Sequence, residues 1–362
     1  MASNQPTGQQ AGVARHRPCP PDRSGVVVRD GVEIAWDVHD GPDGPDGGAA
    51  GSRSTILLLP TWTIVDSRIW KLQVPWLARH HRVVTFDGRG SGRSGSPTGV
   101  AAYTDAAYAA DALAVLDATG TERALVVGFS CGAAWAVHLA AGHPERVAGL
   151  VAIAPSCGLS VPSPARDKFA FDARLDSNRG WAKYNEHHWL GGGYDDFVDF
   201  FAHQMHHEPH STKQREDFVA WASETDPATL VDTVAGRLGL HGAEATPLEP
   251  LCARVQCPVL VVHGTDDKVR PAAIGRRLAE LTGGSLVLMD GVGHAPPARE
   301  PVRVNHLIGE LADRVFPRPV TTTWTRARDR GGQVEHARAT RRGRSTTSCT
   351  RTPSSRGSRS RG

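Results

Sequence analysis

Ala124-Leu125-Val126-Val127-Gly128-Phe129-Ser130-Cys131-Gly132-Ala133-Ala134-Trp135 is the stretch on which the reading of this chain turns. An apolar run, Leu125 to Val127, meets Gly128-Phe129-Ser130-Cys131-Gly132, and an alanine-rich segment of strong helix formers follows. That order spells strand, tight turn, helix. A serine at the centre of such a turn takes a strained backbone geometry, which works only if the residues two positions either side lack clashing side chains. Gly128 and Gly132 meet that demand. The turn lifts the Ser130 hydroxyl clear of the sheet and leaves the following backbone N–H groups at the positive end of a helix, where negative charge is stabilised. Alone, a Gly-x-Ser-x-Gly pattern also serves as a small-residue turn that lets a helix pack close to a strand, so partners elsewhere must decide it.

Working outward, the chain alternates strands with helices. Val26 to Val28 and Val32 to Val38, around Arg29-Asp30-Gly31, predict an antiparallel hairpin. Thr55 to Leu59 and Val83 to Phe86 are short buried strands. Tyr103 to Thr119 carries Ala109, Leu113 and Leu116 at helical spacing, Ala133 to Ala141 is helical, and Val147 to Ala154 is a further strand. Pro258 to His263 and Ser285 to Met289 are the last strands, with helices predicted over Pro271 to Leu281 and Val302 to Val315. The pattern predicts a mostly parallel sheet covered on both faces by helices. Between them, Leu159 to Leu251 holds no convincing strand and is crowded with aromatics and histidines, which predicts a mainly helical cap. The expected organisation is a disordered leader over 1–24, a core over 25–158 and 252–317, a cap over 159–251 and a basic disordered tail over 318–362.

Charge supports that division. Residues 318–362 hold twelve arginines against Asp329 and Glu335, a net of +10, so the remainder carries −7 of the overall +3. The tail could bind nucleic acid through phosphate contacts, but no reading motif or aromatic series accompanies it. Plain disorder is the expectation, and an out-of-frame remnant of a lost domain is a third reading. No run of eighteen apolar residues predicts a membrane span, and Met1 to Ser24 lacks the apolar segment of a secretory signal. The six cysteines, Cys19, Cys131, Cys157, Cys252, Cys257 and Cys349, form no paired framework, which suits a reducing cytoplasm. Oligomeric state cannot be read from the sequence.

Cofactor and metal motifs fail on spacing. Asp87-Gly88-Arg89-Gly90-Ser91-Gly92-Arg93-Ser94 lacks both the Gly-x-Gly-x-x-Gly register and a Walker Lys-Ser/Thr pair, so it reads as a structural turn held by Asp87 and Arg89. His203 and His207 have the i, i+4 spacing that puts two imidazoles on one helix face, but no Glu follows the first. Cys252 and Cys257 have no second pair. Neither cofactor nor metal is expected.

A serine nucleophile needs a general base, and the base needs an acceptor that fixes its tautomer and steadies its charge. His294, in Gly293-His294-Ala295-Pro296, follows the last strand, and Asp267, in Gly264-Thr265-Asp266-Asp267, follows the one before. Both fall at the carboxyl edge of the predicted sheet, where catalytic groups of open α/β sheets collect. Asp266 competes with Asp267; the Gly-x-x-Asp spacing leaves Thr265 and Asp266 to make the turn and favours Asp267. Cys131, at a helix N-terminus, is expected to turn its side chain away and to contribute only its backbone N–H.

These segments together resemble the α/β-hydrolase fold superfamily over about Val26 to Phe316, with the chain order Ser130, Asp267, His294 that this superfamily uses. Leu59-Pro60-Thr61-Trp62-Thr63-Ile64-Val65 and Glu208-Pro209-His210-Ser211-Thr212-Lys213-Gln214 are similar to hydrolase domains that precede adenylate cyclase domains in some actinobacterial proteins. The resemblance implies Ser130 as nucleophile, His294 as base, Asp267 as its orienter, and the N–H groups of Trp62 and Cys131 as oxyanion hole. Pro60-Thr61 departs from the common His-Gly of that loop. It further implies a serine hydrolase acting on a small ester or thioester. Perhydrolysis, acyl transfer and carbon–carbon bond hydrolysis use the same triad, and a small-molecule sensor with little turnover is the alternative of a different class.

Overall fold

The computed structural model describes residues 19–40 and 54–317; residues 1–18 of the expected leader, residues 41–53 and the expected tail over 318–362 lie outside the described residues. Eight strands, β1 (Arg23–Arg29), β2 (Val32–His39), β3 (Thr55–Leu58), β4 (Arg82–Phe86), β5 (Ala124–Phe129), β6 (Val147–Ile153), β7 (Val259–Gly264) and β8 (Ser285–Met289), form one sheet. Their order is β1-β2-β4-β3-β5-β6-β7-β8. The pairs β1·β2 and β2·β4 are antiparallel and the rest are parallel.

The central strands are buried along their whole length, as continuous apolar runs require when both faces of a sheet are covered. The helices Cys131–Gly142 and Pro301–Val315 both pack against β5 and β6, while Ala272–Thr282 packs on β7 and β8. The helix after the serine starts at Cys131, two residues before the expected Ala133. β1 begins at Arg23, inside the expected leader. Two polar anchors extend it: Arg23 pairs with Asp40 at 3.0 Å, and the Ser24 hydroxyl donates to Asp37 at 2.6 Å. No helix among the described residues is long and apolar enough to cross a membrane.

The glycine loop after β4 is a structural turn. Asp87 accepts from Ser67 and from the backbone and Nε of Arg93, and Arg93 also reaches Asp37. Arg89, expected to hold this turn with Asp87, instead makes a two-pronged bond with Asp111 on the next helix, at 2.6 and 2.7 Å. The fixed fork of a guanidinium favours that bidentate geometry over a single bond within the loop.

Over 159–251 the described chain holds helices Tyr194–Met205, Thr212–Ala222 and Pro227–Leu238 with shorter turns before and after them. Tyr194, Phe197, Val198, Phe201, Ala202 and Met205 form one buried stripe at helical spacing. Asp226 caps the third helix by accepting from the Thr229 N–H at 2.8 Å, with Pro227 in its first turn and Gly239 in the left-handed conformation at its end. This segment is organised around a residue of the core: the Trp62 ring lies 5.4 to 6.0 Å from the rings of Tyr184, Trp189, Phe197 and Phe201. Each fully buried aromatic there contributes roughly 1.5–3 kcal/mol by area alone. The aromatics of this region therefore build mainly its own core and its seat on Trp62.

Candidate active site

Three loops at the carboxyl ends of parallel strands converge. Ser130 directly follows β5, with φ 53° and ψ −115°, a left-handed conformation that costs a non-glycine residue on the order of 1–3 kcal/mol. Close packing holds it there. A Cβ on Gly128 would lie 2.3 Å from the Gly132 carbonyl oxygen, and one on Gly132 would lie 2.4 Å from that of Pro60. Both glycines are thus required by backbone approach, the second because the loop after β3 crosses directly over the helix start.

Asp267 follows β7 and His294 follows β8, and the two loops are tied edge to edge. The Asp266 N–H donates to the Val292 carbonyl at 3.0 Å, and the Gly291 N–H donates to the Thr265 hydroxyl at 2.9 Å. A side chain at Gly264 would strike the Val292 carbonyl oxygen at 2.1 Å. This register brings His294 Nδ1 to 2.8 Å from Asp267 Oδ2, and His294 Nε2 to 3.0 Å from Ser130 Oγ. Since a carboxylate only accepts, Nδ1 carries the proton, and Nε2 is the acceptor facing the serine hydroxyl. Asp266 is half-exposed and engaged with Lys268 and His207.

Asp267 is saturated with donors. Its Oδ1 accepts from the backbone N–H groups of Val269 and Arg270, both at 2.8 Å, and its Oδ2 accepts from His294 and also from His263 Nε2 at 3.0 Å. Burial alone would raise its carboxyl, but the charge of His294 and the hydrogen bonds of both imidazoles hold it well below the usual carboxylate range. His263, at the end of β7, was missed in the sequence, where it looks like one more residue of a buried strand. Glu208, from the cap segment, accepts the Gly293 N–H at 2.7 Å and so braces the backbone next to His294.

Trp62 and Cys131, the residues whose backbone N–H groups are expected to form the oxyanion hole, both line the cavity into which Ser130 opens. The Thr61 hydroxyl donates to the Phe129 carbonyl at 3.0 Å, which pins the Pro60-Thr61 loop to the strand that carries Ser130. The Cys131 side chain, expected to turn away from the site, is engaged there as well. Its Sγ accepts from Arg237 at 2.9 Å, because the helix Pro227–Leu238 brings that guanidinium against the start of the serine helix.

Ser130 opens into a cavity of about 290 Å³. Trp62, Tyr184 and Phe201 supply aromatic wall, and Arg166, Arg237 and Arg270 supply cationic wall. None of these arginines was singled out in the sequence. Arg237 is paired with Asp105 at 2.7 Å; burial opposes its charge, but Asp105 raises its pKa above the ordinary arginine value. His203 and His207 do not share a helix face: the helix ends at Met205, because the backbone turns at His206, so His203 stays exposed on the helix and His207 turns to Asp266. Among the described residues no group of three or more His, Cys, Asp or Glu side chains is placed to hold a metal ion.

A sequence model of the alpha/beta hydrolase fold matches residues 55–301. The chain is 30% identical to the protein named "Putative carbamate hydrolase RutD" from Caulobacter sp. (strain K31), over 76% of this chain and 96% of that protein. Among solved structures it superposes on the enol-lactonase from Burkholderia xenovorans LB400 with a TM-score of 0.62 at 22% identity, covering 79% of this chain and 99% of that one. The esterase RhEst1 from Rhodococcus sp. ECU1013 gives a TM-score of 0.63 at 22% identity, over 81% and 98% of the two chains.

Proposed function

The chain belongs to the α/β-hydrolase family, an enzyme family, and from that premise we propose that it is a serine hydrolase that cleaves a small ester or thioester through an acyl-enzyme. The observation that carries this reading is the continuous series Ser130 Oγ, His294 Nε2 and Nδ1, Asp267 Oδ2, with steps of 3.0 and 2.8 Å. As the Ser130 oxygen bonds to the substrate carbonyl carbon, its proton passes to His294 Nε2. The imidazolium so formed is stabilised by Asp267, which stays ionised because four donors hold it. The carbonyl oxygen becomes an oxyanion between the N–H groups of Trp62 and Cys131, a role in which one donor is worth roughly 10²–10³ in rate. His294 then returns the proton to the leaving oxygen or sulfur as the carbon–heteroatom bond breaks. Water, deprotonated by His294, releases the acid and restores Ser130.

The cavity volume sits at the small end of ligand sites, which supports a short acyl chain. A series of p-nitrophenyl esters from acetate to decanoate tests the reading. Turnover should be highest for short chains and fall by on the order of 10⁶-fold in Ser130→Ala and in His294→Ala. Equal rates in the wild type and in a folded Ser130→Ala would remove the nucleophile from the account, and tight ligand binding with no turnover would favour a sensor instead.

A further inference from the structure

The cavity beside Ser130 carries more positive charge than the hydrolysis of a neutral ester would use. Three arginines line it against the single carboxylate of Asp105, among the described lining residues. Asp105 is committed to Arg237 and to the Trp135 indole, at 2.7 Å each. That leaves Arg166 and Arg270, and among the described residues neither has a carboxylate within ion-pairing distance.

Both guanidiniums are held in place by other means. Arg270 Nε donates to the Ser156 hydroxyl at 3.1 Å, and the Ser156 N–H donates to the Ser130 carbonyl at 3.0 Å, so this arginine is fastened to the nucleophile's own turn. Its backbone N–H is one of the four donors on Asp267. Arg166 lies over the Tyr184 ring at 4.1 Å and the Trp181 ring at 5.2 Å. A guanidinium stacked on rings keeps its in-plane N–H groups for a further acceptor. Burial and the like charge of Arg166 pull the Arg270 guanidinium down to about 10, the direction expected where a counterion is lacking. Two fixed, mutually repelling cations without an anion are costly in a partly desolvated cavity, and an incoming anion relieves that cost.

We propose that the substrate carries a carboxylate besides its scissile bond, and that the free N–H groups of Arg270, assisted by Arg166, bind it and so select anionic esters over neutral ones. This rests on the serine hydrolase reading for its chemistry but not for its binding. The planar pair of terminal nitrogens on Arg270, left free because Nε is used by Ser156, matches the two oxygens of a carboxylate. Arg237, already neutralised by Asp105, completes the wall and shapes it.

Two pairs of probes test it. Mono-p-nitrophenyl glutarate against p-nitrophenyl butyrate places the charge on the acyl part, and 4-acetoxybenzoate against phenyl acetate places it on the leaving group. For one pair the anionic member should have the higher kcat/KM by roughly 10- to 100-fold. That ratio should fall toward one in Arg270→Gln, recover in part in Arg270→Lys, and fall less in Arg166→Gln. Ratios near one for both pairs in the wild type, or a ratio untouched by Arg270→Gln, would overturn the proposal while leaving the hydrolase reading in place. Binding without turnover is read separately, from thermal unfolding of Ser130→Ala with glutarate. Glutarate should raise its Tm, and Arg270→Gln on that background should abolish the rise. If no ester is cleaved and this protection is nonetheless seen, the anion site stands and the hydrolase reading falls. Greater protection by inorganic phosphate than by glutarate would overturn the choice of a carboxylate.

Discussion

Two groups of charges at the site are treated in opposite ways. Asp267, behind Ser130 and His294, is wholly enclosed and has four donors on its two oxygens. On the cavity wall Arg166 and Arg270 are held by a hydroxyl and by aromatic faces, with no carboxylate among the described residues to balance them. A saturated charge has nothing left to offer a ligand and can only position or polarise a neighbour. An unsaturated one gains when a counterion binds. On the proposed reading, the difference separates a part of the site that does chemistry from a part that recognises.

Saturation can be broken from the side of His263, and a large effect should follow. Removing its N–H in His263→Leu takes one of two donors from the oxygen that holds His294. The expected result is a kcat lower by about tenfold, roughly 1.4 kcal/mol, with KM little changed. His263→Gln, which keeps an N–H donor, should recover part of the loss. An unaltered kcat in a folded His263→Leu would mean that the backbone N–H groups and His294 suffice to position Asp267, and the contrast between the two groups of charges would weaken.

How much of this was legible follows from sequence range. The serine turn could be read because its requirements are local: a strand, two glycines and a helix within twelve residues. Asp267 and His294 could be proposed because each sits in the loop that follows a strand. His263 was hidden because a histidine inside Val-Leu-Val-Val-His looks like strand. The arginine wall was hidden because its meaning depends on distant partners. Arg237 finds Asp105 from 132 positions away, and the significance of Arg270 lies in the lack of a carboxylate partner among the described residues, which no local pattern conveys. The helical nature of 159–251 was legible from composition, but not the break at His206, so the i, i+4 spacing of His203 and His207 does not put them on one helix face. The expected disorder of the tail over 318–362 falls outside the described residues.

The smaller effect concerns the cap segment. His206 is buried against Phe218, and burial first, then the charge of His294, lowers its pKa to about 4. Its unfolded value is about 6.5. Between those values the unfolded chain binds a proton that the folded chain does not, so stability rises with pH across about pH 4 to 6.5 and is lost as pH falls through that window. The slope from this one group is at most about 1.4 kcal/mol per pH unit. Denaturant unfolding at pH 5 and pH 7 should show a smaller difference in His206→Phe than in the wild type. The same difference in both proteins would place the acid sensitivity elsewhere.

The most direct test of the central claim is covalent. A fluorophosphonate probe followed by peptide mapping of the intact full-length chain should find one phosphonylated residue, Ser130, within the peptide spanning Gly128 and Gly132. Labelling should vanish in Ser130→Ala and slow by orders of magnitude in His294→Ala. No labelling of folded wild-type protein, or labelling that persists elsewhere in Ser130→Ala, would contradict the account.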